Sequence, residues 1–183
     1  MVSESLVYVL DQRDCLAWVS TAAWDRAATA AGAPWLTAAS TMGSSLWSQI
    51  GDATTAELYR LLLKRVRAGH AIDISFDGSG AGVMREMRLR MASLPNAHVE
   101  CTSTVVREQQ CDGPDGSARG HQPPRRLTVC SWCGRMRVDD EWQEIEVAMA
   151  ALRVFLDGVP SVISHGACYD CAHRLTDDIL HKN

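Results

Sequence analysis

Apolar residues change their spacing along the first part of the chain, and these changes predict an order of strands and helices. Apolar runs at 6–10 and 16–19, separated by a polar turn, predict an opening β-hairpin. Stretches in which apolar and polar residues alternate predict three further strands at 71–76, 87–91 and 99–106. Because such strands have one apolar face and one polar face, each is expected to cover a core on one side only.

Between the second and third of these strands, apolar residues recur every three or four positions, which is the period of an α-helix. One helix is expected to end at Gly32, and a longer one to run from a cap at Asp52 or Thr54 to Gly69. Two strands, a helical middle and three closing strands are typical of an α+β fold. We therefore predict one antiparallel five-stranded sheet with helices packed on one face.

This order of elements, together with three short stretches of sequence, resembles a PAS domain. The stretches are Val7-Tyr8-Val9-Leu10-Asp11, Trp24-Asp25-Arg26 and Met42-Gly43-Ser44-Ser45-Leu46-Trp47. The resemblance covers residues 1–106 and implies a sensor or adaptor domain in signal transduction. It also implies a hollow between sheet and helices that can hold a small-molecule ligand, and pairing with a protein partner or as a homodimer.

A change in composition separates this part from the rest of the chain. Residues 107–126 contain three Gly, three Pro and several charges without an apolar period, so they cannot bury enough surface to offset their ordering entropy. We therefore predict a PAS-like sensor domain at 1–106, a flexible linker at 107–126 and a C-terminal module at 127–183.

The C-terminal module contains two pairs of cysteines. The chain has seven cysteines, and four of them form the motifs Cys130-Ser-Trp-Cys133 and Cys168-Tyr-Asp-Cys171. Two residues between cysteines let a tight turn aim both sulfurs at one point, and four thiolates complete the tetrahedral shell that zinc prefers. These four cysteines are therefore the predicted ligands of one zinc ion. Four free thiols in a small core and a redox-active disulfide pair are the alternatives.

Apart from its cysteines, the C-terminal module shows a helical period. Apolar residues three or four positions apart predict one helix between the cysteine pairs, and a second short helix is expected to start near Cys168. The apolar residues of the first helix are Trp142, Ile145, Met149, Leu152 and Leu156. A helical module this small has a marginal core, so a bound metal ion would supply stability that burial cannot.

Further residues of the module accompany the two cysteine pairs. They are Arg137, Trp142 and Ser164-His165-Gly166. Together with the cysteines, they resemble a C-terminal extension of bacterial PAS proteins, sensor kinases and response regulators, which implies a bacterial signalling context. The chain departs from this pattern at Tyr169, where a proline is expected. His165 is expected to replace one cysteine as a ligand, to hydrogen-bond to a thiolate, or to be an ordinary structural histidine.

The net charge and the length of the apolar runs argue against two classes of partner, nucleic acids and membranes. With 18 Lys and Arg against 22 Asp and Glu, the chain has a formal charge of -4, which argues against unselective binding to nucleic acid. No apolar run approaches the ~20 residues that span a bilayer, and the N-terminus lacks the basic-then-apolar order of a signal peptide. We therefore expect a cytoplasmic protein without a membrane partner.

Familiar catalytic motifs are missing from the sequence. The chain has no Gly-x-Ser-x-Gly elbow, and the Gly-rich residues 78–82 lack the lysine of a phosphate-binding loop. The sequence therefore predicts a non-enzymatic sensor or adaptor. The alternative is a thiol redox switch, in which the paired cysteines oxidise and release the metal ion.

Overall fold

The N-terminal part of the chain forms a five-stranded antiparallel sheet, called the first sheet below. The computed structural model describes residues 5–79, 83–110 and 123–180. The strands of the first sheet are β1 (Leu6–Leu10), β2 (Leu16–Val19), β3 (Ile72–Asp77), β4 (Val83–Ser93) and β5 (Val99–Gln110). They lie in the order β2-β1-β5-β4-β3, and every neighbouring pair is antiparallel. The predicted α+β class and the five-stranded antiparallel sheet are therefore confirmed.

The alternation of residue types in β3 and β4 explains which face of the first sheet is buried. Ile74 lies opposite Leu89, and both side chains are buried. Their neighbours Asp73 and Arg90 also lie opposite each other, but both are exposed. Because side chains alternate between the two faces, this register collects the apolar residues on one face and leaves the charged ones in solvent.

Three α-helices and a one-turn 3₁₀ helix (Leu46–Ser48) lie between β2 and β3. The α-helices are α1 (Thr21–Ala30), α2 (Ala38–Thr41) and α3 (Ala53–Arg67). α3 begins where the sequence predicts, because the Asp52 side chain accepts a hydrogen bond of 2.6 Å from the backbone N–H of Thr55. The apolar face of α3 belongs to the same buried cluster as the inner face of the first sheet, and contributes Leu58, Leu62, Leu63 and Val66.

The C-terminal part contains a second sheet, which the sequence does not predict. Its strands are β6 (Arg125–Cys130), β7 (Met136–Val138), β8 (Glu141–Gln143) and β9 (Ser161–Gly166), in the order β8-β7-β6-β9. β9 pairs with β6 in parallel, and the other pairs are antiparallel. Two helices, α4 (Ile145–Ala151) and α5 (Tyr169–Leu180), complete this part. The predicted helical module is therefore corrected to one that combines a sheet with two helices.

The helix predicted between the cysteine pairs is shorter than its apolar period suggests. Trp142 belongs to β8, and α4 covers Ile145–Ala151 only. Asp139 and Arg153 explain the difference, because their φ angles are positive, at 53° and 50°. Asp139 turns the chain from β7 into β8, and Arg153 interrupts the helical path after α4. Strands of three residues are too short to show a period of two, so the sequence pattern does not reveal them.

Both ends of the predicted linker 107–126 are strands in the structure. Residues 107–110 belong to β5, and residues 125–126 belong to β6. Residues 111–122 lie outside the described residues. The division of the chain into two domains joined by a flexible linker stays a prediction.

The two parts of the chain meet along α3 and at the edge of β3. The backbone N–H of Asp77 in β3 donates to the carbonyl of Phe155 at 2.7 Å. The hydroxyl of Thr54 in α3 donates to the carbonyl of Ser161 at 3.0 Å. Buried residues of both parts also belong to one continuous apolar cluster. The C-terminal part therefore covers an edge of the first sheet that would otherwise expose unpaired backbone groups.

Candidate metal centre

The second sheet aligns the segments that carry the four paired cysteines. Cys130 is the last residue of β6, and Cys133 lies in the turn that leads to β7. Cys168 directly precedes α5, and Cys171 lies in its first turn. Because β6 and β9 are parallel and Cys130 lies opposite Gly166, the chain leaves β9 beside Cys130 and soon reaches Cys168.

The sulfur atoms of Cys130, Cys133, Cys168 and Cys171, called the cysteine cluster below, converge on one point. They lie within 4.8 Å of one another, and the Sγ atoms of Cys133 and Cys168 are 3.6 Å apart. A tetrahedral zinc ion with Zn–S bonds of ~2.3 Å would separate its sulfur ligands by roughly 3.8 Å. All four residues are free thiols rather than disulfide partners. The cysteines are therefore close enough together to hold one metal ion, as their spacing predicts.

Burial and backbone hydrogen bonds determine how readily these thiols ionise. Burial works to raise the pKa of Cys130. Backbone N–H groups of Cys133, Cys168 and Trp132 outweigh burial and lower this pKa to about 6. One of these donors, the N–H of Cys168, lies 3.4 Å from the Cys130 Sγ. Burial raises the pKa of Cys133 to about 12 and also raises the pKa of Cys171. Of these three thiols, Cys130 is therefore the best prepared to be a thiolate, which is the form that binds metal.

Gly134 shapes the turn after the first cysteine pair. Its φ angle is 78°, in the left-handed region, and its N–H donates to the carbonyl of Cys130 at 3.0 Å. A Cβ atom at this position would lie 3.3 Å from Cδ2 of Leu61 on α3. Glycine is therefore favoured here both by the backbone conformation and by the close approach of α3.

Two arginines near the cysteine cluster have different partners. Nη2 of Arg174 lies 3.6 Å from Sγ of Cys171, where its positive charge would offset the negative charge of Cys171 as a thiolate ligand. Arg135 instead binds two carboxylates, with Nε 3.0 Å from Glu144 and Nη1 2.7 Å from Asp170. Arg135 therefore links the turn of the first cysteine pair to the first turn of α5.

His165 lies outside the cysteine cluster. Its side chain is 55% exposed, and its Nε2 atom lies 3.2 Å from a carboxylate oxygen of Glu57 on α3. Within the described ranges, the group of side chains that could hold a metal ion consists of the four cysteines alone. Of the three roles expected for His165, the structural one agrees with this contact.

The predicted site residues do not include the charged residues that join the cysteine cluster to α3. Arg65 of α3 contacts Glu144 at 3.0 Å and Glu146 at 2.8 Å. The only signal in the sequence is the position of Arg65 at the edge of an apolar helical face. No local pattern could pair it with Glu146, which lies 81 positions further along the chain.

A cavity of about 450 Å³ lies between α1 and the inner face of the first sheet. Most of its wall is apolar, and it includes Leu6, Ala27, Phe76, Met87 and Val105. The buried residue Ser103 adds a hydroxyl group to this wall. The volume lies in the range of small-molecule pockets, and the position is that of the hollow between sheet and helices which the resemblance to a PAS domain implies.

Comparisons with known proteins add no family to this description. No protein-family model matches the chain, and no curated protein matches it as a relative. Among the described helices, none has both the length and the apolar character that crossing a bilayer requires. The functional conclusions therefore rest on the fold and on the geometry of the cysteine cluster.

Proposed function

We propose that this chain is a non-enzymatic bacterial signalling protein, in which a PAS-like sensor or adaptor domain is joined to a module held together by zinc. The observation that carries the proposal is the convergence of four thiols within 4.8 Å of one another beside the start of α5. Such a cluster is the donor set of a structural metal site, and it is attached to a domain whose order of elements is PAS-like.

Zinc suits the cysteine cluster because all four donors are soft sulfurs that can surround the ion. Cys130, Cys133, Cys168 and Cys171 would hold it and would fill its four coordination positions. Zinc in such a site supplies a cross-link between two segments of chain, here the turn after β6 and the first turn of α5. No position would remain for a substrate, so a structural role is favoured over a catalytic one.

The arrangement of the first sheet supports the PAS-like assignment. Two strands, helices and three closing strands form one antiparallel sheet, whose buried face packs on α3. The cavity of about 450 Å³ adjoins the same face. Its largely apolar wall, together with the Ser103 hydroxyl and the charged side chains of Arg26, Arg85 and Glu108, favours a ligand with an apolar body and polar groups that can hydrogen-bond. Such a molecule would be the signal that the domain senses.

The outer face of the first sheet carries an exposed apolar side chain that favours binding to a protein partner. Trp18 on the edge strand β2 is 51% exposed and lies opposite Val9 of β1. An exposed tryptophan contributes more to protein interfaces than most side chains do. We infer that this face binds a protein partner or a second copy of the chain in the cytoplasm, where thiols stay reduced.

The metal content of the freshly purified chain, measured by native mass spectrometry, tests the zinc site. The wild-type chain is expected to carry a single zinc ion, and the Cys130→Ser and Cys168→Ser variants to carry none. Cys15→Ser is the matched control, because this thiol lies outside the cysteine cluster, and it should retain zinc. A wild-type chain that carries no metal would overturn the zinc site.

A thiol redox switch is the second candidate, and the partial exposure of Cys133 favours it. Cys133 is half-buried, and with Cys171 it lines a pocket of about 240 Å³ beside Trp132. A peroxide entering there would take two electrons and two protons from a pair of thiols. One S–S bond would form, and hydrogen peroxide would become two water molecules.

Mild peroxide treatment separates the structural site from the switch. The switch predicts that zinc is released within minutes and that the oligomeric state changes, as measured with a chromophoric chelator and by light scattering. If zinc is retained under the same treatment, the switch is ruled out and the structural role stands.

A further inference from the structure

A line of ion pairs runs from the first turn of α5 to α3. Arg135 contacts Asp170 through Nη1 at 2.7 Å and Glu144 through Nε at 3.0 Å. Arg65 of α3 contacts the other carboxylate oxygen of Glu144 at 3.0 Å. Glu144 therefore lies between two guanidinium groups, one from each part of the chain. Asp170, Arg135, Glu144 and Arg65 are called the ion-pair relay below.

One end of the relay is built into the cysteine cluster. Asp170 lies between Cys168 and Cys171 in the chain, so it moves with the first turn of α5. The backbone carbonyl of Arg135 accepts a hydrogen bond of 2.8 Å from the N–H of Cys130, so Arg135 moves with the turn of the first cysteine pair. The Arg135–Asp170 pair therefore spans the same two segments that a metal ion in the cluster would join.

The other end of the relay is anchored on α3. Arg65 follows Leu61 by one helical turn, and Leu61 meets the turn of the first cysteine pair at Gly134, where a Cβ would lie 3.3 Å from its Cδ2. Further along α3, Leu62 and Val66 lie in the buried core beneath the first sheet. A displacement of the cysteine turn would therefore reach α3 through packing as well as through charge.

The hydrogen bonds of Arg65 and Glu146, at the α3 end of the relay, are incomplete. Within the described residues, Arg65 Nε and Glu146 Oε2 are buried without a hydrogen-bond partner. The two side chains are 22% and 20% exposed, so solvent screens their charges only in part. A buried polar network that is partly satisfied depends strongly on each remaining contact. Arg65 would lose one of its two carboxylate partners if Glu144 moved away.

We propose that the ion-pair relay transmits the state of the metal site to α3, an inference that rests on the proposed zinc site. A bound ion fixes the two cysteine segments relative to each other, and with them Arg135 and Asp170. Arg135 then holds Glu144 where it binds Arg65. Without the ion, the two segments separate, Glu144 is released and α3 loses this attachment. Because coupling is reciprocal, a change at α3 would also change the affinity of the cluster for zinc.

Hydrogen exchange of the full chain, with zinc bound and after its removal, tests the relay. Zinc removal is expected to speed amide exchange in α3 by roughly tenfold more than in β1 and β2, which form the sheet edge remote from β3. In the Arg65→Gln and Glu144→Gln variants the zinc-dependent difference in α3 should fall below about twofold. Both variants should still bind a single zinc ion by native mass spectrometry.

The matched control is Arg137→Gln. Arg137 lies on β7 and pairs with Asp140 at 2.9 Å, outside the relay, so this variant should keep the wild-type response. The relay is overturned if α3 exchanges at the same rate with and without zinc while α5 exchanges faster. It is also overturned if both relay variants respond like the wild type. A wild-type chain that binds no zinc overturns the relay and the zinc site together, and the mass spectrum distinguishes that result from the other two.

Discussion

The two parts of the molecule are stabilised in different ways. In the first sheet and α3, large apolar side chains such as Leu10, Leu62 and Val99 are completely buried. In the C-terminal part, β7 and β8 have three residues each, and three of the buried side chains are cysteines of the cluster. Each buried apolar side chain contributes about 1.5–3 kcal/mol, so the first part distributes its stability over many residues. The C-terminal part buries fewer apolar side chains, among them Leu127, Met136 and Ile145, and adds the four-sulfur cluster to them.

This difference shows where each part is vulnerable. A core that many buried apolar side chains stabilise loses only part of its free energy of unfolding when one of them is truncated. A four-sulfur cluster has no redundancy, because a tetrahedral ion needs every ligand. Substitutions in the two parts should therefore have different consequences for stability and for metal content.

The largest effect is expected when one thiol of the cysteine cluster is removed. Structural zinc contributes on the order of 10 kcal/mol of binding free energy, which in small modules is also folding free energy. Cys168→Ser should therefore expose the C-terminal part to limited proteolysis while β1 and β2 stay protected. Mass spectrometry of the digestion products measures this, with Cys15→Ser as the control. Equal protection of the C-terminal part in both variants would contradict the account.

A smaller effect, on the free energy of unfolding alone, is expected when a core side chain of the first part is truncated. Leu10 is completely buried on β1, so Leu10→Ala should lower the free energy of unfolding by about 2–5 kcal/mol. Chemical denaturation followed by fluorescence measures the loss, and the zinc content of the folded variant should not change. Leu94→Ala is the control, since Leu94 is exposed and its truncation should cost little. Loss of zinc from folded Leu10→Ala would contradict the claim that the two parts are stabilised in different ways.

A substitution at Gly134 tests the contact between the turn of the first cysteine pair and α3. Gly134→Ala should cost about 1–2 kcal/mol, because the backbone is left-handed there and Leu61 lies close by. Competition with a chromophoric chelator should show weaker zinc binding as a result. The matched control is Gly51→Ala, since a Cβ at Gly51 would meet nothing within 4 Å. If the two variants bind zinc equally well, the turn is not as constrained as its geometry indicates.

The smallest effect concerns the cap of α3 and depends on pH. Hydrogen bonds from Thr55 hold the pKa of Asp52 below its usual value. Because this pKa is lower in the folded chain, the cap stabilises α3 above the unfolded pKa, and this contribution is lost as the pH falls through the folded pKa. Asp52→Ala should therefore cost about 1 kcal/mol at neutral pH and progressively less in acid.

Thermal unfolding at several pH values measures the effect of the cap. Asp52→Asn is the control, because asparagine can accept the same hydrogen bond from Thr55 but does not titrate. A difference between wild type and Asp52→Ala that stays constant into strong acid would show that the carboxylate is not the source of the stabilisation.

The first part of the molecule is predictable from sequence because its elements are long enough to show a period. Ile72 and Ile74 alternate with exposed residues, and the structure buries both. The boundaries of α3 are equally visible, since Asp52 caps it and the left-handed Gly69 follows it. At each of these positions, the structure that the local residues favour is also the one found in the fold. Where the two agree, the sequence pattern predicts the structure reliably.

The C-terminal part is predictable from sequence only at its two C-x-x-C motifs, because their spacing determines the local geometry. Each C-x-x-C pair brings two sulfurs together within one turn, so the cysteine cluster could be anticipated. Trp142 has helical spacing from Ile145 but lies in a strand, because β7 and β8 are held by pairing with neighbours rather than by a period of their own. The contact between Arg65 and Glu146 joins residues 81 positions apart and has no local signal.

X-ray absorption at the zinc edge tests the four-sulfur site most directly. The measurement uses the full chain as purified, with the metal content established on the same sample. The account predicts a single shell of four sulfur donors at ~2.3 Å. A shell that contains nitrogen or oxygen donors, or fewer than four sulfurs, would contradict it.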